Sequence, residues 1–459
     1  MTAPPDRRSR IDHASALGAA PVGRLLWHAC SQTTLSVGVY GIYALTNAWF
    51  VARGVGALAM AAVNLVTPVL LVLGAVSTTV GVGGASLVSR SLGANDPRTA
   101  ARAAGNAFVV FWTTAVAVTV VGLVALGPLL TLLGAVGSTR TLAAEYAVVI
   151  LAGAIFSTGF SSLVRAEGRM RFSTMLWLVP ILVQITLDPL LIFGVHLGVR
   201  GAALGTVGGQ AVSAVMSMWF FFVQRHRPYR IGLADLRPHP PTIRALLGVG
   251  APSFLAGFGA TMLAVLVNTT LSRTGGATAL AAFAVCARIQ TFAMMPQLGI
   301  SQGLQPVAGY NAGRGLYDRV LRARTLSLRA TVGYGVLVLV AVVVFAGPLV
   351  AAFVDDAGVA ATARNALRII ALGFAVAGVA PLVSAYFQSL GRPRPSYLIS
   401  IGTILAIKVP LVLALSHAGS SGVWVSLAAG ELVSALAALV VLRRVRLDGR
   451  GYWTRSPDG

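Results

Sequence analysis

Of the thirteen acidic residues in this 459-residue chain, Asp188 and Glu431 fall deep inside long apolar runs. Asp6, Asp12, Asp96, Glu167, Asp235, Asp318, Asp448 and Asp458 stand in polar, basic stretches, Asp355 and Asp356 in a short connection, and Glu145 near the end of a run. A charge buried in an apolar, bilayer-like setting costs several kcal/mol unless it is paired or solvated, so each one calls for a reason. Asp188 lies in LVQITLDPLLIFG, directly before Pro189. Proline removes a backbone donor and disturbs the preceding helical turn. A carboxylate beside that opening can meet water, bind a cation or exchange a proton. It can also cap freed backbone groups with neighbours such as Gln184 and Thr186.

Glu431 has a basic counterpart. The last two apolar runs turn back on each other near 416–421, with Lys408 and Glu431 at similar distances from the turn. At the helical rise both lie roughly 15–18 Å down, close enough to pair. Arg288 lies about as deep, so Arg288, Lys408 and Glu431 form a candidate three-charge cluster. Its plainer role is an ion pair that fixes helix packing. Tyr40, Tyr43, Asn47, Asn64, Gln184 and Gln210 complete the polar inventory of the first half. Singly, such side chains are interhelical glue; as a set beside Asp188 they favour a wet, amphipathic cavity.

The elements that position these residues are membrane helices. The chain is 56% hydrophobic and 10% charged, with a mean hydropathy of +0.81, outside the range of a soluble domain. Spans of about 20 residues cross a bilayer, and twelve are read at 25–50, 58–88, 105–131, 142–164, 172–195, 200–223, 245–272, 276–307, 326–354, 362–389, 396–417 and 421–442. This makes an all-α polytopic membrane protein. Its expected divisions are a tail at 1–23, a six-helix bundle at 24–223, a linker at 224–242, a second six-helix bundle at 243–442 and a tail at 443–459.

The net charge of +22 reports topology, not nucleic-acid binding. All but eight of the 35 basic residues fall on one side of the twelve spans. Arg53, Arg140, Arg200, Arg273, Arg364 and Arg368 fall on the other side, and Arg288 and Lys408 within spans. The positive-inside rule then places both termini in the cytoplasm of a cell (inner) membrane, with the basic face against anionic lipid. Residues 1–23 read as a short disordered tail with no cleaved leader. Cys30 and Cys286 offer neither a disulfide framework nor metal spacing. No connection holds a soluble domain or a phosphate-binding loop, which argues against ATP hydrolysis.

The chain also repeats. Shifted by 220 positions without a gap, Arg24 falls on Arg244, Arg53 on Arg273, Gly93 on Gly313 and Arg102 on Arg322. A repeat in the same orientation within an apolar chain is one architecture of secondary transporters.

Longer motifs sharpen the reading. GISQGLQPVAGYNAG (299–313) resembles the eighth-span signature of the multidrug and toxic compound extrusion (MATE) family. LVTPVLLVLGAVSTTVGVGGASLVSRSLGAND (65–96) resembles that family's second span and loop, and RAEGRMRFSTM (165–175), LDPLLIFGVHLGVRGAALGT (187–206) and FQSLGRPRPSYL (387–398) match later landmarks in order. The resemblance spans about 24–446. It implies twelve helices in two six-helix bundles related by a pseudo-two-fold axis along the membrane normal, and cation-coupled export of organic, often cationic and amphipathic compounds. Asp188 matches the aspartate the family uses for protons or cations.

The departures are specific. Where the members closest in pattern carry a first-span aspartate fifteen residues after a kink-forming proline, this chain has Asn47 and Gln32. The second-half acidic pair of the sodium-coupled branch has no match either. The expectation is therefore a monomeric antiporter working by alternating access, without a cofactor, whose coupling ion is H+ or Na+. A flippase for a lipid-linked or amphipathic metabolite is the alternative. An integral membrane prenyl transferase would need clustered carboxylates, which this sequence lacks.

Overall fold

The computed structural model describes residues 13–156, 160–224 and 227–445. Of the tails read from the sequence, 1–12 and 446–459 lie outside the described residues, as do Arg225 and His226 of the linker. Among the described residues all regular structure is helical: α1 (His13–Ala19), α2 (Val22–Gly54), α3 (Ala57–Gly93), α4 (Pro97–Val124), α5 (Leu126–Leu132), α6 (Gly137–Ala152), α7 (Ser161–Ala166), α8 (Met170–Pro189), α9 (Gly198–Met218), α10 (Pro240–Gly313), α11 (Tyr317–Val344), α12 (Ala346–Ala351), α13 (Ala357–Ala371), α14 (Val379–Ser389), α15 (Pro393–Tyr397), α16 (Val409–Leu415) and α17 (Gly419–Arg444).

These helices account for the twelve passes. α10 holds two spans joined at Gly276, whose φ of 62° breaks the helix. α13 and α14 form one span around a run of turns at 372–378. The most apolar 18-residue windows of α4 and α11 bury just 22% of their residues within the protein. Their remaining apolar surface faces outward, as lipid contact requires.

The 220-residue repeat governs where elements begin and end. α4 and α11 start and stop 220 residues apart, and so do α3 and the second arm of α10, 277–313. Each copy turns from its first to its second helix at a glycine of positive φ, Gly56 at 102° and Gly276 at 62°. No residue with a Cβ takes that conformation cheaply.

Residue contacts divide the chain into two compact units. The first comprises Met1–Leu25, Val39–Gly250 and Gly309–Leu316; the second comprises Leu26–Gly38, Ala251–Ala308 and Tyr317–Gly459. Unit 1 packs small and β-branched side chains such as Ala59, Ala62, Val66, Ala143 and Ala203, all fully buried. Small residues let helix backbones approach closely where apolar burial alone gives no drive. Unit 2 instead uses larger groups, with Phe283 stacked on Trp424 at 6.1 Å between centroids, and Ile370 and Phe374 buried nearby.

Two features differ from the sequence reading. Residues 13–19, expected as disordered tail, form α1, with Ala14 and Leu17 buried. Their sequence, HASALGA, is rich in helix formers, and Asn311 donates to the Leu17 carbonyl at 2.9 Å. The linker, read only as a connection between the two bundles, is tied to unit 1. Arg227 forms a buried two-point ion pair with Glu167 and donates to the Phe221 carbonyl at 2.7 Å. Its guanidinium lies 4.5–4.9 Å from the rings of Phe220, Phe221 and Tyr229. Burial, and next the Glu167 charge, holds the Tyr229 hydroxyl well above the ordinary tyrosine range, so it stays protonated. Further along, Asn106 on α4 donates to the Asp235 carbonyl and accepts from the His239 N–H.

Candidate functional site

Asp188 occupies the end of α8, where the helix loses its regularity. Pro189 has no N–H to offer the Ile185 carbonyl, and the chain continues through a π-helical turn, Leu190–Gly194. It then reverses near His196, whose φ is 56°, into α9. The reversal sets Asp188 opposite Gly205 and Thr206, each about nine residues from the turn. The fit is tight: a Cβ at position 205 would collide with Asp188 Oδ1.

The first-half polar residues converge on this point from α2 and α8. Tyr40, Tyr43 and Asn47 follow three- and four-residue steps and share one face of α2. The Asn47 amide donates to the Tyr43 hydroxyl at 3.2 Å and to Asp188 Oδ2 at 3.4 Å. The Gln184 amide donates to Tyr43 at 2.6 Å and to the Thr206 hydroxyl at 2.7 Å. Tyr43 thus accepts twice, which leaves its own proton for Thr206, 3.5 Å away. Thr206 passes its proton to the Ala202 carbonyl at 3.1 Å. Tyr146 on α6 is buried beside Thr206 and the Asp188 charge.

The neutral groups of this network are satisfied, and the carboxylate is not. Asp188 is 1% exposed, receives a single long hydrogen bond, and its Oδ1 has no hydrogen-bond partner among the described residues. An ionised carboxylate accepts at about four lone-pair positions and donates none. Bare, it is costly here; with a bound proton or cation it is not. Tyr40 borders the network, 48% exposed, with its ring edge-on to Trp177 at 5.7 Å between centroids and tilted against Tyr43 at 5.8 Å. An exposed aromatic rim beside a buried carboxylate suits an amphipathic organic ligand.

Two residues read with this set lie apart from it. Asn64 is exposed on α3, and Gln210 is half-buried on α9. Neither hydrogen-bonds Tyr43, Asn47, Gln184 or Asp188. Gln210 stands one turn beyond Thr206 on α9. Conversely, Tyr146, Gly205 and Thr206 were not singled out from the sequence. The register of the 187–206 hairpin would have found the last two, since they face Asp188 across its turn. No sequence signal marks Tyr146.

In unit 2, Lys408 Nζ lies 2.6 Å from Glu431 Oε1, and each side chain is just under one-fifth exposed. Arg288 does not complete a three-charge cluster. It is exposed on α10 and makes no ion pair with Glu431 among the described residues. A guanidinium on a long stem reaches a polar region more cheaply than it shares one buried carboxylate.

A helical polytopic fold with a buried, under-coordinated carboxylate between its helices is the kind of arrangement found in membrane transporters. The sequence model of the MatE family matches residues 34–190 and 252–413, and the chain belongs to that family. It is similar to the multidrug export protein MepA of Staphylococcus aureus (strain MRSA252), 26% identical over 438 residues, covering 93% of this chain and 95% of that protein. It is also similar to a FAD transporter of Shewanella oneidensis, 23% identical over 441 residues, covering 93% and 96%. Among solved structures, a MATE transporter in complex with MaL6 superposes with a TM-score of 0.89 at 25% identity, over 95% of this chain and 98% of that one. An outward-facing multidrug resistance MATE family transporter of the MOP superfamily gives 0.88 at 25% identity, over 94% and 97%.

Proposed function

We propose that this protein is a secondary active exporter of organic compounds, driven by the opposite movement of H+ or Na+ and working by alternating access. The observation that carries the coupling step is the under-coordinated carboxylate of Asp188. It binds the ion; Asn47 orients its Oδ2; Tyr43, Gln184 and Thr206 hold the neutral scaffold; Tyr40 offers an aromatic surface to the cargo. Binding of either ion removes a net charge from the wall, so ion and cationic substrate compete for one negative site. Exchange follows from that competition.

The cargo class is amphipathic and cationic, which the likeness to multidrug exporters supports; the likeness to a FAD transporter extends it toward amphipathic nucleotides. The basic face at the termini puts both ends in the cytoplasm. The bundles 24–223 and 243–442 act as the two working bodies of a monomer, and no cofactor is called for. Cells expressing the wild type should hold less of a fluorescent organic cation than cells expressing Asp188→Asn at equal membrane abundance. Equal accumulation would remove Asp188 from the mechanism.

A further inference from the structure

Glu431 is the other carboxylate at depth, and the group that sits on it is an ammonium from the same chain. Lys408 Nζ and Glu431 Oε1 are 2.6 Å apart. Beside them Gln290, Ser426, Leu263 and Phe374 help to line a cavity of about 20 Å³, room for roughly one water molecule. The pair is partly exposed rather than sealed. Lys408 ends a π-helical turn, Ile404–Lys408, and Pro410 follows two residues later with no N–H to give to the preceding turn. π turns displace a side chain from its regular helical position and recur at functional sites. Glu431, Gln290 and Ser426 all line this space and carry a carboxylate, an amide oxygen and a hydroxyl, the last donating its proton to the Val423 carbonyl at 2.7 Å. Those are hard oxygen donors suited to a small cation.

We infer that Lys408 is a tethered counter-ion: its ammonium takes the place on Glu431 that a mobile monovalent cation would otherwise fill. Unit 2 then carries its compensating charge within its own chain and does not respond to Na+. Resting on the reading of Asp188 given above, this leaves the ion-coupling step to unit 1. A purely structural pair predicts the same destabilisation when Lys408 is removed, but no new affinity for cations. The latent cation site separates the two.

The test uses the full-length protein in an Asp188→Asn background, so that it stands whether or not Asp188 couples transport. Melting curves are recorded for Asp188→Asn, Asp188→Asn/Lys408→Ala and Asp188→Asn/Lys408→Ala/Glu431→Gln, with NaCl or methylammonium chloride titrated against choline chloride at constant ionic strength. Lys408→Ala should lower the melting temperature, and Na+ or methylammonium should raise it again saturably, by about 1 °C or more. That response should be absent when Lys408 is present and lost when Glu431→Gln is added. No cation-specific response after Lys408→Ala overturns the inference. So does a response that survives Glu431→Gln, or one already present in Asp188→Asn alone and abolished by Glu431→Gln. If the alanine variant does not fold, Lys408→Gln, which keeps the side chain's reach, replaces it. A requirement for the added cation during purification counts as the expected result, and failure to fold in every cation counts against it.

Discussion

Neutralising Lys408 and Glu431 singly and together measures how strongly unit 2 depends on its internal pair. At 2.6 Å and an effective dielectric constant of about 20, the Coulomb attraction is about 6 kcal/mol. Desolvation of both groups returns most of that, and each side chain keeps nearly one-fifth of its exposure. A net coupling of about 1–3 kcal/mol remains. Each single change, Lys408→Met or Glu431→Gln, also leaves one charge uncompensated among Leu263, Phe374 and Val412, and should cost about 2–4 kcal/mol. The double variant removes both charges and should recover at least about 1 kcal/mol of the summed loss. Detergent-solubilised protein in a choline buffer, followed by thermal unfolding with a size-exclusion readout, supplies the comparison. Losses that simply add, with coupling below about 0.5 kcal/mol, would mean the two charges are solvated separately and the close contact contributes nothing.

Three further outcomes are expected. Asn47→Asp places a second carboxylate in hydrogen-bond range of the Tyr43 and Asp188 groups; two carboxylates sharing one pocket bind a proton or cation jointly, so transport should depend more steeply on pH or Na+, and a flat dependence would show that this position does not reach the ion. Arg227→Met strands Glu167 in a site where both side chains are essentially unexposed, which should cost about 3–5 kcal/mol and raise protease sensitivity in the linker; unchanged stability and cleavage would show that the aromatic cage holds the linker alone. Asp96 caps α4 through the Thr99 N–H at 3.0 Å; burial opposes its charge, but the Thr99 contacts outweigh it and hold the carboxyl below its ordinary value of 3.8. Because the folded-state value is depressed, this stabilisation is full above the unfolded value and fades as pH falls through the folded one. Asp96→Ala should therefore cost about 1 kcal/mol at neutral pH, with the gap narrowing below about pH 4 and not at higher pH.

The fold was readable because a membrane leaves few options. Apolar runs of the right length mark spans, and the ungapped match of Arg24, Arg53, Gly93 and Arg102 to partners 220 residues on anticipates helices that start and stop by the same offset. The helix α1 was not readable, since seven residues of HASALGA carry no periodic signal, and the burial of Ala14 and Leu17 and the Asn311 contact are visible only in the folded chain. For the site, rarity did the selecting: a polar side chain within an apolar run attracts notice wherever it points. Tyr43, Asn47, Gln184 and Asp188 meet in space, while Asn64, Gln210 and Arg288, chosen by the same rule, stand apart. Polarity names candidates, but the rotation of each helix decides which face one another. Thr206 and Tyr146 were passed over because a threonine among glycines and a tyrosine near a span end are ordinary until a carboxylate is seen beside them.

Coupled export requires that Asp188 join ion movement to substrate movement. Proteoliposomes loaded with a fluorescent organic cation, containing wild type or Asp188→Asn at matched density, would be exposed to an imposed pH gradient and, separately, to an imposed Na+ gradient. One of the two gradients should accelerate efflux through the wild type, and neither should do so through Asp188→Asn, although the variant still unfolds cooperatively. Gradient-driven efflux of equal rate in both proteins would show that Asp188 does not couple ion to cargo, as would a wild type that responds to neither ion.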